Sequence, residues 1–178
     1  DQPVSSCVGS IDSFSYEIRN DNYSGSLYSW TNDARVKNFS DFIEAFVPTK
    51  KHTMTVTSSN GATYNYDTSI VNTNKTYVTF IAGDNPYTVI NVPDNPQDKS
   101  ILVLKDSFGN AFVPFLTSHY GRIIVIDPRE FNRDGKPSLN LAEFAADQGV
   151  DDLIVINYPY MINSKAFIRY LNALAGVQ

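Results

Sequence analysis

Cysteine, histidine and clustered positive charge are what this sequence has least of. Cys7 is the single cysteine among 178 residues, so neither an internal disulfide nor a cysteine-rich zinc site can form within the chain. Exported proteins need not carry disulfides, so this alone leaves the compartment open. The two histidines, His52 and His119, stand far apart and outside any HExxH pattern, which argues against a zinc centre or any other metal or cofactor site. Charged residues make up 19% of the chain, with 14 basic and 19 acidic side chains giving a net charge of −5. Without a run of Lys and Arg the chain lacks the means to neutralise phosphates, and nucleic acid is excluded as a partner. No apolar stretch approaches the roughly 18 residues needed to cross a bilayer. The longest candidates, Ile101 to Leu104 and Ile123 to Ile126, are strand-sized.

What is present is enough apolar material for a core. Hydrophobic residues are 42% of the sequence, which suits one domain of ordinary size and excludes a disordered chain. The composition changes near residue 98. Asn, Ser, Thr, Tyr and Asp dominate before it, and regular apolar blocks follow it. The boundary, Val92 to Asp98, holds two prolines and reads as a loop. Residues 1–97 therefore read as a β-rich half of hairpins and edge strands, residues 98–178 as a βαβαβα half, and the two as one compact unit.

In the first half, Thr53 to Thr57 and Ala62 to Tyr66 flank Asn60-Gly61, a strong hairpin signal because both residues tolerate positive φ. Tyr77 to Ala82 and Tyr87 to Val92 read as strands, while Phe42 to Val47 fits strand or helix. In the second half, Ser100 to Lys105, Arg122 to Ile126 and Asp152 to Ile156 are apolar blocks of strand length. Between and after them come helical stretches, Phe108 to Tyr120, Leu139 to Gln148 with Ser138 as N-cap and Gly149 beyond, and one capped by Asn163 or Ser164 that runs to Leu174. This alternation predicts a parallel sheet with right-handed crossovers.

Ligands of such sheets bind at the carboxyl ends of the strands. That rule selects Lys105 to Asn110, Asp127 to Glu130 and Asn157 to Tyr160. Ser107, at a strand-to-helix junction, is a candidate nucleophile if a base is at hand, or it and Asp106 merely cap the helix. Arg129 either binds a carboxylate or developing negative charge, or pairs with Asp127, Glu130 or Asp134. Asn157 either donates its amide to an oxyanion or ends its strand through local hydrogen bonds. On a helix from Phe108 to Tyr120, His119 would lie roughly 18 Å from Ser107, and His52 reads as a solvated strand end. Neither completes a triad. Exposed aromatic residues, with Trp30, Tyr28 and Tyr160 as candidates, would instead suit a non-catalytic surface module that stacks on sugars.

The segment Lys105-Asp106-Ser107-Phe108-Gly109-Asn110, followed by Asp127-Pro128-Arg129, resembles the DHHW family of SGNH-hydrolase-like proteins. Tyr23 to Ser29, Ile81 to Pro86 and Gly149 to Val155 resemble the same family. The resemblance implies a three-layer α/β fold like that of GDSL esterases and alginate O-acetyltransferases, with Ser107 as nucleophile. It implies action on an acyl ester or a cell-surface polysaccharide, outside the cell or on its surface. The oxyanion would be held by the Ser107 N–H with Asn157 or Asn110, and Arg129 would bind substrate. The family's Asp-His-His-Trp motif, whose Asp and His resemble the rest of the triad, is absent here and would fall before Asp1. Either the chain is a carboxy-terminal part of such a protein or the protein has lost its base, and in both cases the chain alone is catalytically incomplete.

Overall fold

The computed structural model of the chain describes residues 11–66, 70–95 and 97–177, so Cys7 lies outside the described residues. Its centre is strand β6, Ser100–Lys105, with all six residues buried. In the numbering used here, β1 is Phe14–Tyr23, β2 Asp41–Pro48, β3 Thr53–Thr57, β4 Thr63–Tyr66, β5 Tyr87–Asn91, β7 Arg122–Ile126 and β8 Asp152–Ile156. Both β7 and β8 pair with β6 in parallel, Leu104 facing Ile126 on one side and Val155 on the other. This is the parallel core that the alternation of residues 100–157 predicts.

The whole sheet is mixed rather than parallel. Its order is β4-β3-β5-β7-β6-β8, and β5 runs antiparallel to β7, as β3 does to β5 and β4 to β3. The direction of β5 follows from the linker behind it. Residues 92–99 are too few for the crossover that a parallel connection needs, so β5 and β6 meet that linker at the same sheet edge. Asn95 fastens the linker, its amide donating to the carbonyls of Thr117 and Tyr120. The β3–β4 hairpin is as expected, with Asn60-Gly61 exposed at its turn and Gly61 at φ +81°.

Three features depart from the sequence reading. Strand β1 and two short helices, α1 Gly25–Thr31 and α2 Ala34–Asn38, were not anticipated. β1 pairs with β2 in a separate two-stranded ribbon whose register shifts twice, which erases simple alternation, and neither helix buries a residue to leave a periodic trace. Tyr77 to Ala82 is not a strand. A 3₁₀ turn at Tyr77–Thr79 is followed by Ile81, Ala82 and Gly83 at φ of 44°, 59° and 85°, and such backbone cannot continue a ladder. Phe108 to Tyr120 is not one α-helix but two 3₁₀ segments, Ser107–Ala111 and Val113–Ser118, with Pro114 withholding an N–H from the second.

The remaining helices are α3, Leu141–Asp147, and α4, Lys165–Ala175. Asn140, not Ser138, caps α3 by accepting from Ala142 and Glu143, and Ser164 caps α4. Alternate residues of the central strands feed two cores. Ile101, Val103, Ile123 and Val125 pack with Ile43 and Ala45 of β2 and with Val113 and Leu116 of the 3₁₀ region. Leu102, Leu104, Ile124 and Ile126 pack with Phe131, Leu174 and Phe144. One face is thus covered by helices and the other by the ribbon and 3₁₀ turns. Among the described residues no helix is long and apolar enough to cross a membrane.

Candidate active site

β6 delivers two side chains of opposite character to the sheet's carboxyl edge. Lys105 is completely buried, and Ser107, two residues on, is exposed. The capping role falls to Asp106. One of its carboxylate oxygens accepts from the Phe108 N–H at 2.9 Å, and the other from the Tyr158 N–H at 2.9 Å, tying the end of β6 to the end of β8. Ser107 is thereby relieved of capping. Its own N–H finds no acceptor among the described residues, and its carbonyl accepts from the Tyr77 hydroxyl at 3.0 Å.

Beneath Ser107 lies a charged cluster organised by Asp84. Asp84 Oδ1 accepts from Lys105 Nζ at 3.1 Å and from Asn110 Nδ2 at 2.8 Å, while Oδ2 accepts from Arg129 Nη2 at 2.9 Å. Burial would push the Asp84 carboxyl up, but the Lys105 charge and the hydrogen bonds from Asn110, Arg129 and Lys105 outweigh it and hold the group below the usual range. Arg129 also grips Asp127 through Nε and Nη2, and these bonds to Asp127 raise its own pKa further. Its Nη1 has no described acceptor. The segment that presents Asp84 is the run of left-handed residues Ile81 to Gly83, with a buried β-branched residue at positive φ. Such backbone is held only where the surroundings over-determine it. Close approach matters at Gly109 too, where a Cβ would stand 2.6 Å from Lys105 Cβ.

The predicted site residues therefore separate. Ser107, Asp127, Arg129 and Asn157 all stand at the carboxyl edge. The amide of Asn110 is buried and bound to Asp84 rather than offered beside Ser107, and its Oδ1 is buried without a partner. Asn157 donates to the Tyr158 carbonyl at 3.0 Å, the strand-ending contact weighed from sequence. Exposed rings form a row next to Ser107, with Phe108 5.8 Å from Tyr158 and Tyr158 5.3 Å from Tyr160 between ring centroids. Of the other aromatic candidates, Trp30 is 84% exposed on α1 and Tyr28 is half-buried.

Both histidines lie at the opposite edge. His119 precedes β7 by three residues, and the five residues of β7 separate the edges by roughly 16 Å at about 3.3 Å per residue. His52 precedes β3 at the same far edge, since Thr53 pairs with Asn91 and Asn91 with Arg122. Contrary to the reading as a solvated strand end, His52 is buried. Nδ1 bonds the Lys50 carbonyl at 2.7 Å and Nε2 accepts from the Ile70 N–H at 2.9 Å. Sequence reasoning also passed over Asp84 and Tyr77. Asp84 sits in a quoted family-like segment, but nothing local marks it as the partner of a buried lysine. Tyr77 leaves no signal at all.

Residues 4–126 match the model of the DHHW protein family. The sequence matches no curated protein. Among solved structures, the fold is similar to a DHHW family protein from Eubacterium siraeum, with TM-score 0.76, 21% identity and coverage of 96% of this chain and 55% of that one. It is also similar to Bacillus cereus PatB1, solved with a sulfonyl adduct, with TM-score 0.66, 16% identity and coverage of 89% and 51%. A second PatB1 structure gives TM-score 0.62 at 16% identity, covering 89% of this chain and 53% of that one. The chain thus spans about half the length of the solved structures it matches.

Proposed function

The chain belongs to the DHHW protein family, and from that premise we propose that it carries the nucleophile of an SGNH-like serine acyl-transfer site, an esterase or O-acyltransferase acting on cell-surface carbohydrate outside the cell. The observation that carries this reading is the division of labour at the end of β6, where Asp106 takes both capping bonds and leaves Ser107 exposed. The sulfonyl adduct of the similar PatB1 supports it, because such adducts form on activated nucleophiles. The row Phe108, Tyr158, Tyr160 supports a carbohydrate, since exposed rings beside the nucleophile offer faces for a sugar.

In this reading a base takes the proton from Ser107 Oγ, and Oγ bonds to the acyl carbon. The carbonyl oxygen becomes an oxyanion facing the Ser107 N–H, with Asn157 or the free Nη1 of Arg129 as further donors. The bond from carbon to the alcohol oxygen then breaks, and the base returns its proton to that oxygen. Water or a sugar hydroxyl takes the acyl group from Ser107 in the second half. Asn110 acts by holding Asp84, and through it Arg129. Neither histidine reaches this edge, and in this reading the base is supplied from outside these 178 residues. Strand β8 ends the sheet with Leu153 51% and Val155 43% exposed, and its last residue, Ile156, accepts from the Asp106 N–H at 3.3 Å, next to Ser107. A further strand packed there would bring its own end beside Ser107.

The experiment compares nitrophenyl acetate hydrolysis by this chain, its Ser107→Ala variant and a longer product of the same gene. We expect turnover only from the longer product, lost with Ser107→Ala, because general-base help contributes about 10²- to 10⁴-fold. Robust Ser107-dependent turnover by the 178 residues would show that a base lies within them. No turnover in any protein would favour the second reading, a carbohydrate-binding module, for which the 84% exposure of Trp30 speaks.

A further inference from the structure

We propose that the apolar cavity beneath the β3–β4 turn holds the hydrocarbon tail of an acyl ester of medium chain length. The cavity encloses about 510 Å³, within the range of small-molecule sites. At roughly 30 Å³ per water-sized group, it has room for on the order of 17 heavy atoms. Its walls are Pro86, Tyr87, Ile126, Phe131, Leu139 and Phe144, drawn from β5, β7, α3 and the loops between them.

The mouth decides the class of ligand. Ser59, at the hairpin turn, donates to Glu130 Oε2 at 3.1 Å, and Lys136 donates to the same oxygen. Arg133 stands 3.7 Å from the other carboxylate oxygen. Glu130 is thus already engaged by the hydroxyl and the cations around it. A sugar buried here would find few partners for its hydroxyls, whereas a hydrocarbon asks for none. The apolar walls favour a tail over a headgroup.

The position ties the cavity to the acyl-transfer reading, on which its purpose rests. Ile126 in its wall is the register partner of Leu104, three residues before Ser107. One turn after β7 serves both places, with Arg129 in the Asp84 cluster and Phe131 in the cavity wall.

The test measures binding, which needs no base. Dodecanoate, acetate and benzoate are titrated calorimetrically into this chain, its Ser107→Ala variant and Leu139→Trp, which narrows the cavity. We expect saturable binding of dodecanoate alone, unchanged in Ser107→Ala and weakened at least tenfold in Leu139→Trp. Magnetisation transfer from the terminal methyl of dodecanoate to the Phe131 and Phe144 rings provides a readout that needs no variant. Absence of saturable binding, preference for benzoate, or transfer to rings outside the cavity such as Trp30 would overturn the proposal. Dodecanoate binding that persists although no longer product shows Ser107-dependent turnover would overturn the acyl-transfer reading while leaving the cavity's ligand intact.

Discussion

The two edges of the central sheet handle their polar groups in opposite ways. At the amino edge both ring nitrogens of His52 are bonded to backbone, and Asn95 pins the linker between β5 and β6. These two side chains close off loops and offer nothing to a ligand. At the carboxyl edge Asp106 does the same structural work, but Ser107, its N–H and Arg129 Nη1 remain uncommitted. Residue type alone would have pointed to the histidines. His119 is set aside by its distance from the carboxyl edge, and His52 also because its donors and acceptors are already matched.

The sharpest way to break this contrast is at Asp84. Asp84→Ala would strand the charge of Lys105 in the core, and we expect a loss on the order of 3 kcal/mol in urea unfolding. Lys105→Met should cost far less, because it removes the buried charge together with its need for a partner. Equal losses from the two would mean that packing, not charge pairing, dominates the cluster. On the amino edge, His52→Phe leaves the Ile70 N–H without its acceptor and should cost about 1–3 kcal/mol. It should leave any Ser107-dependent turnover of a longer product unchanged. A fall in turnover with stability intact would place His52 in the chemistry and dissolve the distinction between the edges.

Acid sharpens the comparison further. The Asp84 carboxyl is depressed in the fold, so its contribution is complete above the ordinary carboxylate pKa of about 4 and is lost as pH falls through the lowered value. Asp84→Asn should remove that part of the acid dependence, leaving a flatter stability profile below pH of about 4 than the parent chain shows. A parallel profile would mean that other carboxylates carry the acid response.

How much of this was legible depended on whether a signal was local. β6 and β7 were legible because burial on both faces demands continuous apolar runs, β8 because its apolar run persists although it is the half-exposed edge strand, and the hairpin because Asn-Gly imposes its own geometry. Ser107, Arg129 and Asn157 could be placed at one edge from the strand-end rule alone. The Asp84–Lys105 pair could not, since its partners are 21 residues apart and joined only by the fold. The 3₁₀ region also escaped, because the repeat of its apolar residues imitates an α-helix that Pro114, lacking an N–H, cannot continue. In the ribbon, irregular register hid β1 for the opposite reason, a real element without its period.

The smallest expected effect is the most discriminating. Ser107 is exposed and Asp106 carries the capping bonds, so Ser107→Ala should change stability by less than about 0.5 kcal/mol. Asp106→Ala, by contrast, removes acceptors from both Phe108 and Tyr158 and should cost about 1–2 kcal/mol, in the range of a lost cap. Measured side by side by urea unfolding, the pair tests the division of labour directly, in this chain and without any base. If Ser107→Ala proved as costly as Asp106→Ala, the hydroxyl would be part of the scaffold, and its availability as a nucleophile would fall with it. If Ser107→Ala is silent in stability yet abolishes turnover in a longer product, the serine is free in the sense that catalysis requires.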